Sequence, residues 1–439
     1  MSSAVVVGAG AGGLVAAWEL TRAGIDVTLL DAWRMPGGLL ARAELAGLTL
    51  DVGAEGYSTR GGSVATLLAD LGADELIVQP IPAGAWLQTA AGPRPMPKRL
   101  VFGMPADPDA EDVREVVGEI PAGTSGSGTL ADLVRSTYGQ RVLDDLVTPL
   151  VAGVYSAAPG DVTLAELAPD LAARVAAGTP LRDVVAEVAA GAPAAGTVHG
   201  IRGGMFRLAD LLVSACESAA GSFELACNEA VIGMELVQGG WRVATRRRSL
   251  SAHMVVLAVP VDVAAQLIGV PVVPASTRIE VITLVLDAPG LDGVQPRGTG
   301  VLVGADAGVA AKALTHSTAK WPWLRQAAEG RDVLRLSYGR RGQLPASAGL
   351  DQSELTRLAV ADARALLGRP IPEPVAVQRT GWSVLPPGTP RLGPAREWLT
   401  EQQTDGLALV GAGIAGVGLA AVIPHARAEI DRLTRSIDG

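Results

Sequence analysis

Gly8, Gly10 and Gly13 stand at the spacing GxGxxG, directly after Ala4-Val5-Val6-Val7, and Asp31 closes the next apolar run at residues 27–30. Residues of these types in this order can hold a dinucleotide. Gly8 permits a tight turn, Gly10 lets the backbone approach a pyrophosphate, and Gly13 lets helix and strand pack closely. A helix N-terminus offers free N–H groups and the positive end of its dipole to the anion. Asp31 can accept from both ribose hydroxyls. The elements that must position these groups are legible around them. Residues 4–7 read as a buried strand and 27–30 as a second one. Between them Leu14, Ala17, Trp18 and Leu20 follow helical spacing, and Gly24 stops that helix. A GxGxxG alone is a weak signal; strand, helix and acid together make a binding unit.

Behind Asp31 come Gly37-Gly38 and Arg42, then LDVGAEGY with Gly53, Ala54 and Glu55. Taken alone, these are glycines for turn geometry in a hairpin. A second glycine pair so close behind a ribose acid is not needed for a nicotinamide dinucleotide. It resembles the arrangement of flavin enzymes of the amine oxidase type. That resemblance puts Gly37, Gly38 and Arg42 along the diphosphate and beside the isoalloxazine. It puts Gly53, Ala54 and Glu55 on the chain's return toward the ring.

The chain has 439 residues, 49% hydrophobic and 18% charged, enough for two or three domains with a large core. Aromatic residues make up only 3% and glycines number 54, so the core must be built from Ala, Val and Leu. The net charge of −9 argues against nucleic acid as a partner, because nothing compensates a phosphate backbone. Arg246-Arg247-Arg248 lies between strand-like segments and reads as a solvated hairpin turn. Cys216 and Cys227 form no CxxC pattern, and the four histidines lack ligand spacing. Neither a disulfide framework nor a metal site is expected. No secretory leader precedes the first strand, so a cytoplasmic location is expected. Residues 406–424 are nearly free of polar groups, but Gly411, Gly413, Gly416 and Gly418 break them into strand, turn and buried helix instead of a membrane span.

The fold class expected is α/β (α+β, multi-domain): a Rossmann-like FAD-binding domain with a mixed-sheet substrate domain and a helical subdomain. The FAD-binding domain takes residues 1–75, 196–265 and 396–439. The substrate domain takes 76–104 and 266–395, and the helical subdomain takes 105–195. Within the last, residues 104–128 are irregular and end in a linker-like PAGTSGSG, and helices run from about 129 to 190. Thr129 with Asp132 and Thr163 with Glu166 fit capping boxes. Leu143, Leu146, Val147 and Leu150 make one apolar helix face. Gly203-Gly204 opens a further helix, and short strands follow, where Val231 could set a backbone group against an adenine. Residues 271–388 read as strands and loops with one helix, 352–367. The glycine run with Gly411, Val417 and Gly418 brings a second helix N-terminus to the cofactor, where it suits the charge of a reduced ring.

Several stretches together resemble one family: Gly37-Gly38, DVGAE (51–55), PLVAGVY (149–155), Gly203-Gly204, Lys320-Trp321-Pro322, Gly381-Trp382 and GVGL (416–419). Over essentially the whole chain they resemble the bacterial oxygen-dependent protoporphyrinogen and coproporphyrinogen oxidases of the flavin amine oxidase superfamily. The resemblance implies FAD as cofactor, a porphyrinogen as substrate and O2 as acceptor. A bridge carbon gives hydride to the flavin, ring nitrogens lose protons, and oxygen reoxidises the flavin to give hydrogen peroxide. Three rounds make the porphyrin. It also implies a helical subdomain that could rest peripherally on a membrane. The family carries an aromatic and a Gly-His pair soon after a tryptophan–proline segment; residues 384–394, VLPPGTPRLGP, hold neither.

Such chemistry needs little from side chains beyond placement. Arg60 can take a substrate carboxylate in a bidentate bond, or be a surface arginine at a helix start. Lys312 and Lys320 are further cations, or strand-end and surface lysines. Trp382 flanks the flavin or packs in the core, and Tyr155 is read as structural. The Ala/Gly/Arg-rich composition suggests a high-GC bacterium, which favours coproporphyrinogen over protoporphyrinogen. Two other readings stand beside this one. The same fold could oxidise an amine or desaturate a polyene, or it could serve as a non-catalytic escort protein. No catalytic side chain and no oligomeric state can be assigned from the sequence.

Overall fold

The structure, a computed structural model, describes residues 2–123, 126–191, 198–269, 276–287, 297–304, 306–384 and 406–435. Strand β1 (Ser3–Val7) is apolar on both sides of its pleat because both faces of its sheet are covered. Ala4 and Val6 join a helical layer with Leu14 and Leu20. Val5 and Val7 join an opposite layer with Trp241 and Val243. β1 lies between β2 (Asp26–Leu30) and the strand Met254–Leu257, with Val5 opposite Thr28 and Val255. The full order is Phe223–Ala226, β2, β1, Met254–Leu257 and Leu407–Leu409, all parallel. Stretches that lie hundreds of residues apart thus share one sheet. Helix α1 (Ala11–Arg22) and the helices Arg207–Glu217 and Leu419–Arg435 cover one face. An antiparallel meander, Val231–Val237, Gly240–Thr245 and Ser249–Ala252, covers the other with the helix Val261–Leu267.

A second, seven-stranded sheet is mixed. Its order is Ala376–Val384, Thr277–Asp287, Arg331–Tyr338, Ala313–His316, Gly300–Val303, Trp86–Thr89 and Gly92–Pro95. Period-two alternation gives its strands two different neighbours. Leu334, Leu336 and Tyr338 face the helix Gln352–Leu367, whereas Val333 faces Leu45, Leu48 and Leu50 of a hairpin that follows β2. The helix 352–367 and both capping boxes form as the sequence implies.

Four local readings need correction. A helix, Glu111–Val117, stands inside the stretch read as irregular, and Val113, Val116 and Val117 bury one of its faces. The apolar face around Leu143–Val147 is carried by a π-helical turn. Two short helices, Ser317–Lys320 and Pro322–Ala327, interrupt the second sheet. Arg248 is not simply solvated: it pairs with Glu224 at 2.7 Å and Glu229 at 2.9 Å. No helix among the described residues is long and apolar enough to cross a membrane.

The tightest joint in the first sheet is α1 on β1. A Cβ on Gly13 would lie 1.8 Å from the Gly8 carbonyl oxygen, a backbone atom that cannot yield without moving the helix. Gly13→Ala is expected to destabilise the protein by roughly 2–4 kcal/mol. Urea unfolding against the parent chain measures it, and an unchanged midpoint contradicts it.

Candidate cofactor and substrate site

Asp31 follows β2 directly and is buried. Ala9 N–H donates to Oδ2 at 2.6 Å and Trp33 N–H to Oδ1 at 2.7 Å. A carboxylate offers about four lone-pair positions, so capacity remains for a pair of hydroxyls. Glu229 N–H donates to the Asp31 carbonyl at 2.8 Å, which brings the strand starting at Val231 to the same end of the sheet.

Gly10 precedes α1 in extended conformation, φ −71° and ψ 178°, and no side chain caps the helix. The first helical bond runs from Leu14 N–H to Gly10 O at 2.9 Å, so the N–H groups ahead of it point out of the helix end. A Cβ on Gly10 would meet nothing within 4 Å, so the loop faces open space. The second glycine pair folds back onto this loop. Gly37 N–H donates to Ala9 O at 2.7 Å, and a Cβ on Gly38 would lie 3.2 Å from Gly10 Cα. The late glycine run arrives from the other side, where a Cβ on Gly12 would lie 3.0 Å from Gly411 Cα. Gly418, at φ +94°, accepts from Val422 N–H at 3.1 Å and starts the final helix, with Val417 45% exposed beside it. Gly8, Gly10, Gly37, Gly38 and Gly411 therefore converge. The open cradle at Gly10, the uncapped helix end and the spare capacity of Asp31 fit the diphosphate and ribose of a dinucleotide.

Gly53 and Ala54 extend this wall. Ala54 N–H donates to Leu39 O at 2.7 Å, and a Cβ on Gly53 would lie 2.0 Å from the same oxygen. The carboxylate of Glu55 turns away into the second sheet. Its Oε2 accepts from Arg335 at 2.9 Å and its Oε1 from the Trp321 indole N–H at 2.8 Å. Burial opposes ionisation of Glu55, but Lys320 and Arg335 outweigh it and hold the group below its usual range. Both oxygens being engaged, contact with a ligand falls to the backbone of residues 53–56. Arg42 is likewise engaged: it pairs with Asp210, and its guanidinium sits 5.1 Å from the Phe206 ring centre. Asp51 was not singled out from the sequence, yet it anchors the Gly203-Gly204 turn by accepting from Met205 N–H at 2.9 Å and Phe206 N–H at 3.1 Å. Burial pushes its pKa up to about 6 despite those bonds.

The candidate substrate residues are less concentrated. Arg60 is exposed on the turn before the helix Ser63–Asp70. Its charge partly offsets the effect of burial on the Tyr155 phenol, which places it across from the helical region. Tyr155 packs on Phe102 with ring centres 5.9 Å apart. Trp382 is half-buried on the edge strand Ala376–Val384, opposite Ile279. Two strands separate it from the strand that follows Lys312. Residues 385–394, where the expected aromatic and histidine are missing, lie outside the described residues. Lys320 is half-buried with its ammonium 4.9 Å from the Trp321 ring centre.

Lys312 is neither a surface lysine nor within reach of a carboxylate arriving from solvent. It is 1% exposed, and its ammonium donates to Ser156 Oγ on the C-terminal cap of the helix Thr148–Tyr155. Burial, with the Arg340 charge nearby, lowers its pKa to about 7. Trp321, Arg335 and Ser156 were missed because their partners lie far off in sequence. Only the Lys320-Trp321-Pro322 motif gave a local signal, and that signal carried no role.

The Lys312 shift has a definite sign. Between about pH 7 and its ordinary value of 10.5, Lys312 binds fewer protons folded than unfolded, so it makes folding more favourable as pH rises through that window. Replacement by the similarly sized Met removes this slope, which is worth on the order of a few kcal/mol. Urea unfolding of the parent chain and Lys312→Met at pH 7, 8, 9 and 10 is expected to show the parent gaining on the variant as pH rises. Parallel curves contradict it.

The profile of the flavin containing amine oxidoreductases matches residues 11–427. Among curated relatives, the coproporphyrinogen III oxidase of Mycobacterium leprae is 30% identical over 98% of both chains. That of Mycobacterium tuberculosis is 28% identical over 99% of this chain and 97% of its own. A solved structure from Exiguobacterium, provisionally assigned as a protoporphyrinogen oxidase, superposes with a TM-score of 0.81 at 22% identity, covering 99% of each chain. A putrescine oxidase superposes at 0.66 with 15% identity, covering 100% of this chain and 98% of its own. The converging glycine loops and the full-length match agree: this chain belongs to the flavin containing amine oxidoreductase family and is a flavin-dependent oxidoreductase.

Proposed function

We propose that the chain is an FAD-dependent oxidase that converts coproporphyrinogen III to coproporphyrin III in haem biosynthesis, with O2 as acceptor and H2O2 as product. Protoporphyrinogen IX is the alternative substrate. The observation that carries the reading is the match to the Mycobacterium leprae coproporphyrinogen III oxidase over 98% of both chains. When bound, FAD accepts hydride from a bridge carbon and passes the electrons to oxygen.

The chain's own residues supply placement. In this reading Gly8, Gly10 and Gly13 shape the loop on the diphosphate, with Gly37, Gly38, Gly411, Val417 and Gly418 closing it. Asp31 takes the ribose, and the backbone at Val231 borders the adenine. Arg42 and the backbone of Gly53, Ala54 and Glu55 flank the ring system. Arg60 is an exposed cation whose charge acts on Tyr155 of the helical region, and a guanidinium suits a substrate carboxylate because it can bond both oxygens at once. Lys312, sealed against Ser156, holds the helix Thr148–Tyr155 to the second sheet and does not touch the substrate.

Purified protein reconstituted with FAD and given coproporphyrinogen III under air is expected to form fluorescent porphyrin well above the spontaneous rate, with peroxide released. A spontaneous rate with a bound flavin overturns the substrate, and peroxide formation from amines in its place assigns an amine oxidase. Arg60→Ala is expected to raise KM for the porphyrinogen about tenfold with kcat little changed, the pattern of lost uniform binding. Gly10→Ala has room for its methyl group and an allowed backbone, so its thermal midpoint without cofactor should match the parent. Its methyl occupies the open cradle, so FAD titration followed by flavin fluorescence should show binding weakened at least about tenfold.

A further inference from the structure

The Lys320-Trp321-Pro322 motif has no part in the function derived so far, yet it meets the flavin-facing loop directly. Trp321 is 1% exposed, and its indole N–H donates to Glu55. Its ring fills space that only glycines leave free: a Cβ on Gly200 would lie 2.7 Å from it and one on Gly56 3.4 Å. Arg335 grips the same loop twice, through the Glu55 carboxylate and the Gly53 carbonyl. Strand alternation explains its aim, since Leu334 and Leu336 point into the helix-side core and Arg335 points the other way with Val333. Among the described residues the Arg335 Nε–H has no partner, and Arg335 lines a cleft with Asp51, Ser317 and Trp323.

We propose that Trp321 and Arg335 are positioning residues that act through Glu55: they fix the backbone of residues 53–56 against the flavin ring, so that the seven-stranded sheet sets the affinity and electronic state of a cofactor held by the parallel sheet. The inference rests on the flavin-site reading above. The loop is tied to Leu39 through Ala54 N–H, to Arg335 through the Gly53 carbonyl, and to Arg335 and Trp321 through the Glu55 carboxylate. Releasing the Arg335 and Trp321 ties lets the carboxylate and the Gly53 carbonyl turn, and both change the field at the ring. A charged acceptor that loses a neutral donor in a dry site loses one of its stronger bonds.

Trp321→Phe keeps an aromatic side chain, though a smaller one, and deletes the indole N–H that Glu55 accepts, and Trp323→Phe makes the same change in size in the same cleft while leaving that bond in place. The expected result for Trp321→Phe is a near-parental circular dichroism spectrum, FAD binding weakened about tenfold, a shifted flavin absorption band and a shifted midpoint potential. Trp323→Phe should leave all three flavin readouts unchanged, and Arg335→Lys should lie nearer the parent than Arg335→Gln. If Trp321→Phe lowers only the thermal midpoint and leaves affinity, spectrum and potential at parental values, the residue is structural and the proposal falls. Should Arg335→Gln fail to fold, as broken buried pairs often do, Trp321→Phe still decides. No readout uses a porphyrinogen, so a wrong substrate leaves the test intact. A parent chain that takes up no FAD, or one whose uptake Gly10→Ala leaves unchanged, instead overturns the flavin-site reading.

Discussion

Backbone meeting backbone without a Cβ between them is the contact on which the molecule depends. Gly13 lies on Gly8, Gly12 on Gly411, Gly38 on Gly10, and Gly53 on Leu39. One contact is local, Gly8 with Gly13, and another, Gly12 with Gly411, joins the first loop to the late glycine run; a methyl group at Gly13 or Gly53 would overlap backbone, whereas one at Gly12 or Gly38 would crowd it. The reward is a surface of peptide N–H groups and helix ends, polar and rigid, with no side-chain entropy to lose when an anion settles on it. Apart from Asp31, the charged side chains described around this surface lie at its rim and in the seam behind it.

That seam is unusually ionic for a buried place. Glu55 meets Arg335 and Trp321, and Asp51 meets two backbone donors. Asp332, wholly buried, accepts from Thr318 and bonds His316, each at 2.8 Å, with Arg325 paired alongside. Burial opposes the charge on Asp332, yet the His316 bond and its neighbours hold it below the usual carboxylate range. Buried pairs of this kind add little net stability, because desolvation consumes most of the attraction. The Glu55 pair does penalise displacement of the 53–55 loop from the second sheet, since either charge would be left unpaired, whereas the Asp332 cluster fixes the short helices after residue 316 to their own sheet.

The parts of this arrangement that were legible in sequence are those governed by neighbours in the chain. The GxGxxG turn, Asp31, the capping boxes at Thr129 and Thr163 and the helix 352–367 each follow from spacing within a few residues. The helix Glu111–Val117 escaped because acids and small residues around it read as linker, while three valines alone secure its packing. Arg335 sits in an ordinary strand pattern, and nothing near it marks it off from Arg331; only the register with residues 53–55 gives it a role. From sequence Lys312 reads as a cation for a substrate carboxylate or as a strand-end or surface lysine, because lysine is usually exposed, and the acceptor that keeps it inside, Ser156, is distant in the chain.

The parallel sheet also sets a schedule. At ordinary rates of synthesis, Leu407 follows Val7 from the ribosome by on the order of 20–80 s. From its own synthesis until the end of that interval, the strand Met254–Leu257 lacks the edge neighbour that Leu407–Leu409 later provides. The first glycine loop likewise waits for the glycine run that closes over it. A nascent chain in this condition presents an open strand edge, a template for pairing with other copies. Newly made protein is therefore vulnerable to aggregation until Leu407–Leu409 has been added, and the closing step that ends this vulnerability is the one that completes the cofactor cradle.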